Sequence, residues 1–191
     1  NDAVLIKRIL DLGARSLLVP FVQNAEEARR AVAATRYPPA GIRGVAAVHR
    51  ASLYGAVADY LQCSGPELTV IVQIETGESF AHLTEIASVD GVDAVFIGPG
   101  DLSASMGHLG NVLHPDVQAL VRAAPAVCHR LGRKVGILAG TAEIAKVYAG
   151  HGYDFVAIGT DLGAMNATVK SHLHAFGRAP AGPGAPLGSG Y

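Results

Sequence analysis

The chain has 191 residues, 15 Lys and Arg against 16 Asp and Glu, half its residues apolar, 23 Gly, two Cys and no Trp. That is one globular domain or most of one, with too much core material for an intrinsically disordered protein. A net charge of -1 without a basic cluster excludes a polyanion binder, and the longest apolar runs, such as Ser16 to Val22, fall short of the roughly 20 residues that span a bilayer.

The chain opens in a helix, Asp2 to Leu12, with no strand ahead of it. Five short apolar runs follow: SLLVPF (16–21), LTVIVQIE (68–75), AVFIG (94–98), KVGIL (134–138) and FVAIG (155–159). Each is nearly continuous in apolar character, as in a parallel strand covered on both faces. Helical stretches alternate with them. NAEEARRAVAATR starts at an Asn24 N-cap with acids in its first turn and stops before Tyr37-Pro38-Pro39. HPDVQALVRAAPAVCHRLG is expected to kink at Pro125 and to end at a Gly132 C-cap. TAEIAKVYAGHG and LGAMNATVKSHLHAFG supply the last two helices, with Asp161 expected to cap the second. Residues 178–191 form a Pro/Gly tail that is expected to be disordered.

Repeated strand–helix units predict an α/β protein with a parallel sheet. A closed (β/α)8 TIM barrel needs eight strands, so five units imply that residues 1–177 are the C-terminal part of one barrel, lacking its first three strands. An open doubly wound sheet would need no missing part, but the glycine-rich dinucleotide fingerprint is absent after its first strand, where Val22-Gln23-Asn24 follows Phe21.

In a barrel the chemistry sits at the carboxyl ends of the strands. Glu75 closes LTVIVQIE and Asp101 follows AVFIG within Gly98-Pro99-Gly100-Asp101. On successive strand ends about 5 Å apart, both could face one point, and two hard oxygen ligands suit Mg²⁺ or Mn²⁺ better than zinc. The alternative is a solvated Glu75 and an Asp101 that caps the next helix. Gln73 shares the inward side with Glu75 and needs polar partners there, which a bound acid or a neighbouring core group would supply. Gly159-Thr160-Asp161-Leu162-Gly163 could hold an anion at a helix N-terminus. Schiff-base chemistry is disfavoured: Lys134 opens its strand, and Lys7, Lys146 and Lys170 lie on helices. The eight histidines show no metal-ligand spacing, so surface or capping roles are expected. Cys63 and Cys128 are too far apart to frame a disulfide network or a zinc site, which fits a reduced, cytoplasmic setting.

The stretches TRYPPAGIRGV (35–45), HRASLYGAVADYL (49–61), VQIET (72–76), GVDAVFIGPGDLSASMGHLGN (91–111), HPDVQ (114–118) and FVAIGTDLG (155–163) resemble the HpcH/HpaI family of metal-dependent 2-oxo-acid aldolases. The likeness runs from Asn1 to about Phe176, and HRASLYGAVADY, GHLGN and GTDLG are most similar to members acting on 2-dehydro-3-deoxyglucarate. The resemblance implies a (β/α)8 barrel, a hexamer, and a divalent metal, Mg²⁺ or Mn²⁺, held by Glu75 and Asp101. It implies that Gln73 and the backbone at Gly100 and Asp101 contact the pyruvate part of the substrate. Leu138 matches an apolar position lining the substrate site from an adjoining subunit, and Asp11 an acid that raises the basicity of the catalytic histidine. Two departures stand out: the family's catalytic histidine and arginine fall on strands before Asn1, and Gly100 replaces a serine or alanine. The implied reaction is aldol cleavage of a 2-keto-3-deoxy sugar acid, such as 2-dehydro-3-deoxyglucarate, to pyruvate and an aldehyde (tartronate semialdehyde). Alternatives are a 4-hydroxy-2-oxoheptanedioate-type aldolase, an acyl-CoA lyase of the same superfamily, and a non-catalytic fragment that binds metal or a 2-oxo acid.

Overall fold

The computed structural model describes residues 1–178; the expected disordered tail lies almost wholly outside the described residues. Five strands, β1 (Ser16–Val19), β2 (Thr69–Ile74), β3 (Ala94–Ile97), β4 (Lys134–Ala139) and β5 (Phe155–Ile158), pair in parallel in the order β1-β2-β3-β4-β5. The order matters more than the count. A doubly wound sheet reverses direction part-way, whereas five strands in sequence order with right-handed crossovers keep every helix on one side and curl as part of a barrel.

The helices are α1 (Ala3–Asp11), α2 (Ala25–Thr35), α3 (Tyr60–Cys63), α4 (Gly77–Ala81), α5 (Leu83–Ala87), α6 (Pro99–Ser105), α7 (Pro115–Arg130), α8 (Ala142–Gly150) and α9 (Asp161–Ala175). Asp2 and Asn24 cap α1 and α2 by accepting the N–H groups of Leu5 at 2.8 Å and Glu27 at 3.0 Å. Capping of this kind is worth about 1 kcal/mol each. The structure corrects the expectation for the last helix: Thr160, in extended conformation, accepts the Gly163 N–H at 3.0 Å, and Asp161 is the first helical residue. Helix α7 runs on through Pro125, and Gly132, two residues past its end, takes φ +69°. None of the helices among the described residues is long and apolar enough to cross a membrane.

The two faces of the sheet differ. Leu17, Val19, Val70, Val72, Ile74, Val95, Ile97, Val135 and Ile137 form the outer layer and are buried beneath the helices. Burial of each side chain contributes about 1.5–3 kcal/mol. The alternate residues face inward, and three apolar ones among them stay open: Leu18 is 45% exposed, Leu138 36% and Phe155 37%. The sheet is thus covered by helices on its outer face and partly open on its inner one. Within it the Phe155 ring lies across Gly136, where an added Cβ would come 2.1 Å from the ring, and packs 5.9 Å from Phe96.

A sequence repeat fastens the amino ends. Gly91-Val92-Asp93-Ala94-Val95-Phe96-Ile97-Gly98 and Gly152-Tyr153-Asp154-Phe155-Val156-Ala157-Ile158-Gly159 share the pattern GxDxVxIG. The first glycine of each takes positive φ, +87° and +94°, which turns the chain into the strand. Each aspartate then accepts the N–H of the second residue of the preceding strand, Asp93 from Val70 at 2.7 Å and Asp154 from Val135 at 2.9 Å. Asp154 also receives Lys134 Nζ and His129 Nε2, both at 2.8 Å. Burial pushes its carboxyl pKa up, but these donors more than offset that and bring it down to about 2.

Residues 36–68, between α2 and β2, hold a buried polar cluster that the sequence did not announce. Arg43, fully buried, donates to Asp11 at 2.8 Å and stacks 4.5 Å from the Tyr37 ring, and Lys7 shares the same carboxylate. His49 caps the turns over Arg50–Gly55, in which Leu53 and Tyr54 adopt left-handed φ of +47° and +56°. At the other end of the chain, α9 has no buried residue, and Leu162, Met165, Val169, Leu173 and Phe176 lie bare along it.

Candidate active site and metal centre

Strands β2 and β3 end side by side, with Ile74 paired to Ile97, so the residues that follow, Glu75 and Gly98, are neighbours at the carboxyl end. The Gly98 N–H closes this end by donating to Ile74 O at 3.0 Å. Gln73 and Glu75 both point to the inner side, as the two-residue period requires. Gly98 makes room for them: a Cβ there would lie 2.6 Å from Gln73 Nε2 and 2.9 Å from Glu75 Oε2. From Gly98 the chain enters α6, whose third residue is Asp101. Asp101 is therefore not the N-cap; that position belongs to Gly98, which supplies no side chain, so the first-turn N–H groups are left uncapped and facing the mouth.

Glu75 is 2% exposed and held at both oxygens, by the Phe21 N–H on Oε1 at 2.7 Å and by Gln73 Nε2 on Oε2 at 2.6 Å. Its pKa is raised. Burial is the main cause; the Phe21 N–H opposes it, the charge and hydrogen bond of the Asp101 carboxyl add to it, and Gln73 opposes it. Asp101 stands at the same carboxyl end as Glu75, and its charge is one of the causes that raise the Glu75 carboxyl. A pair of this kind is relieved by a shared proton or by a cation between them. The donor set, two carboxylates beside an amide oxygen, fits Mg²⁺ or Mn²⁺ and offers no nitrogen or sulfur to a softer metal.

The other residues singled out in the sequence fall in three places. Gly100 borders the mouth, and nothing lies within 4 Å of where its Cβ would be, so a larger residue would find space there. Leu138 lies on the inner side of β4, two residues beyond Gly136, and is exposed there. Asp11 is not brought to them. It ends α1, and the turn after it leads to the amino end of β1, where Arg15 O accepts the Thr69 N–H at 2.8 Å. The six residues of β2, about 20 Å at 3.3 Å each, separate that end from Glu75. Burial raises the Asp11 pKa, but hydrogen bonds and charge from Lys7 and Arg43 bring it net below the usual carboxylate range.

Sequence reasoning missed two features. The first is the Phe21 N–H on Glu75. The second is a group formed by His108, His114 and Asp116, whose ligand atoms lie within 4.8 Å of one another. Their spacing was the available signal, two histidines and an aspartate within nine residues. The imidazoles stack at 3.4 Å with planes 13° apart, however, and near-parallel rings cannot both aim an in-plane nitrogen at one ion. His114 Nδ1 also accepts the Asp116 N–H at 3.3 Å, the capping role expected of it.

Known proteins resemble this chain in sequence and fold. Residues 1–167 match the family described as HpcH/HpaI aldolase/citrate lyase. The chain is 52% identical over 176 residues to 2-dehydro-3,6-dideoxy-6-sulfogluconate aldolase of Pseudomonas putida, covering 92% of this chain and 69% of that protein. It is 47% identical over 176 residues to 5-keto-4-deoxy-D-glucarate aldolase of Salmonella paratyphi C, with the same coverage of 92% and 69%. Among solved structures, an HpcH/HpaI aldolase/citrate lyase family protein from Burkholderia cenocepacia superposes with a TM-score of 0.87 at 37% identity, over 92% of this chain and 70% of its own.

Proposed function

The chain belongs to the HpcH/HpaI aldolase/citrate lyase family, and from that premise we propose that it is a metal-dependent carbon–carbon lyase cleaving a six-carbon 2-keto-3-deoxy sugar acid to pyruvate and a three-carbon aldehyde. The observation that supports the reading is the placement of Glu75 directly after β2 and of Asp101 in the first turn after β3, at the carboxyl ends of adjacent strands, with the Glu75 pKa raised by burial first and by Asp101 as a lesser cause. Numbered from its other end, a 5-keto-4-deoxyglucarate is a 2-keto-3-deoxyglucarate. The two named relatives thus act on the same skeleton, ending in a carboxylate in one case and a sulfonate in the other. The favoured substrate here is 2-dehydro-3-deoxyglucarate, with tartronate semialdehyde as the second product.

Glu75 and Asp101 would hold Mg²⁺ or Mn²⁺, which supplies Lewis-acid stabilisation for negative charge developing on the 2-keto oxygen. The chain's own groups do the positioning. Gln73 keeps its amide oxygen and second N–H for the substrate after donating to Glu75, and the uncapped N–H groups at Gly100 and Asp101 suit the substrate carboxylate. Leu138 gives the mouth an apolar wall. The base that takes the C4 hydroxyl proton, and the arginine that supports it, are proposed, as the family resemblance implies, to come from strands ahead of Asn1. Three further strand–helix units are proposed in the 31% of the relatives' length that the chain does not cover. They would close the inner face left open at Leu18, Leu138 and Phe155. Asp11 already has a histidine beside it, His49, whose Nε2 lies 3.8 Å from Asp11 Oδ1; the basicity-raising part implied for Asp11 would need the catalytic histidine brought to the same end of the sheet. The bare apolar stripe of α9 supports self-association, for which a hexamer is proposed, in a cytoplasmic setting.

The test is a pyruvate-coupled assay of full-length protein with 2-dehydro-3-deoxyglucarate, with and without EDTA. Pyruvate release that stops on chelation and returns with Mg²⁺ is expected, together with a folded but inactive Glu75→Ala variant. Turnover that survives complete chelation, or that Glu75→Ala retains, refutes the metal assignment.

A further inference from the structure

Phe21 stands immediately past β1 with φ +52°, a left-handed conformation that costs a residue with a side chain about 1–2 kcal/mol and is usually left to glycine. Strain of this kind persists where the surrounding structure uses it. Here the use is visible. The turn at Phe21 takes its N–H out of the strand ladder and onto Glu75 Oε1 at 2.7 Å, and pairing with β2 resumes one residue later, where the Val22 N–H reaches Gln73 O at 3.3 Å. The ring takes no part in this. It is half exposed and borders a cavity of about 310 Å³ with Ala3 and Ile6 of α1 and Glu27 and Arg30 of α2, on the helix side of the sheet. Pro20 just before it has no N–H, so Phe21 offers the first donor at this end of β1.

With Gln73 on Oε2, the Phe21 N–H completes a two-point grip that fixes the plane of the Glu75 carboxylate and leaves the remaining lone pairs for the Asp101 side. We propose that Phe21 is a positioning residue: its left-handed backbone, and not its ring, orients Glu75 for a divalent cation shared with Asp101. The inference rests on the metal reading given above and adds to it the part of the chain that sets the ligand's geometry.

The side chain at position 21 separates backbone from ring. Phe21→Val removes the ring and, being β-branched, resists positive φ; Phe21→Gly removes the ring and adopts positive φ freely. In full-length protein titrated calorimetrically with Mn²⁺, Phe21→Val should bind about tenfold or more weakly, the scale of one hydrogen bond to a charged group, while Phe21→Gly rescues most of that loss. Equal weakening in both variants would assign the effect to the ring, and no weakening in either would show that the contact does not position Glu75; each result overturns the proposal. A fold defect is excluded by near-UV circular dichroism on the same samples. A wild-type protein that takes up no Mn²⁺ overturns the metal reading itself. In that case the contact is read in metal-free protein from the Phe21 amide proton resonance, which should move upfield in Glu75→Ala; a resonance that stays in place overturns the positioning alone.

Discussion

Asp154 gives the most direct test of how the sheet is held. Its carboxyl lies at the amino ends of β4 and β5 and accepts from Val135 N–H, Lys134 Nζ and His129 Nε2, and its pKa falls from an ordinary 3.8 to about 2. A folded pKa below the unfolded one means that the ionised form is favoured by folding. The contribution is fully present above pH 3.8 and is lost as pH falls through the interval down to about 2. At 1.36 kcal/mol per unit the shift is worth about 2 kcal/mol of stability at neutral pH. The side chain is 18% exposed, so most of this survives solvent screening, but Lys134 at 71% exposure contributes the share that salt removes. Asp154→Asn keeps an acceptor for Val135 and loses the charge. Denaturant unfolding of both proteins from pH 7 to pH 2.5 should show a gap of about 2 kcal/mol at low salt that narrows steadily below pH 4. A gap that stays constant across this range would refute the ionic account, since a lost neutral hydrogen bond does not titrate.

Asp11→Asn should leave the buried Arg43 guanidinium without its counter-charge and lower stability by about 3 kcal/mol, read from the denaturation midpoint. Gly136→Ala should cost about 1–3 kcal/mol, because the new methyl would collide with the Phe155 ring at 2.1 Å; an unchanged midpoint would contradict the packing described. Gly100→Ala meets nothing within 4 Å and should raise stability by about 0.5–1 kcal/mol, a gain visible as a higher Tm. Cys128 is buried, with its thiol pushed up to about 12, whereas Cys63 is exposed. Iodoacetamide at pH 8 should therefore label Cys63 alone in native protein and both thiols after denaturation, as mass spectrometry would show.

The strands were legible because a β-strand covered on both faces must be apolar at nearly every position, and all five runs became strands with ends shifted by one or two residues. The cap at Asn24 was legible because a polar side chain stood just ahead of acids and helical spacing, whereas Asp2, read as the first helical residue, is the cap of α1. Asp161 was misassigned because Thr160 and Asp161 are both competent caps, and only the backbone decides which one stands in extended conformation. Glu75 could be read as a site residue from its place after a strand, but its grip by Phe21 could not. Nothing in a phenylalanine announces positive φ, and the partner lies 54 residues away. The buried Arg43 cluster and the turns over Arg50–Gly55 escaped for a related reason: they depend on tertiary pairing and on left-handed residues that are not glycine.

The clasp that the GxDxVxIG repeat makes twice has a consequence for how this protein can change. Its carboxylates secure the base of the sheet, a strand's length away from the groups proposed to meet substrate. The rim can therefore be rewritten, at Gly100 or in the loops around it, to greet a different aldehyde without loosening the foundation. A library randomised at the rim should keep its stability, while one randomised at Asp93 and Asp154 should lose about 2 kcal/mol or more in most members.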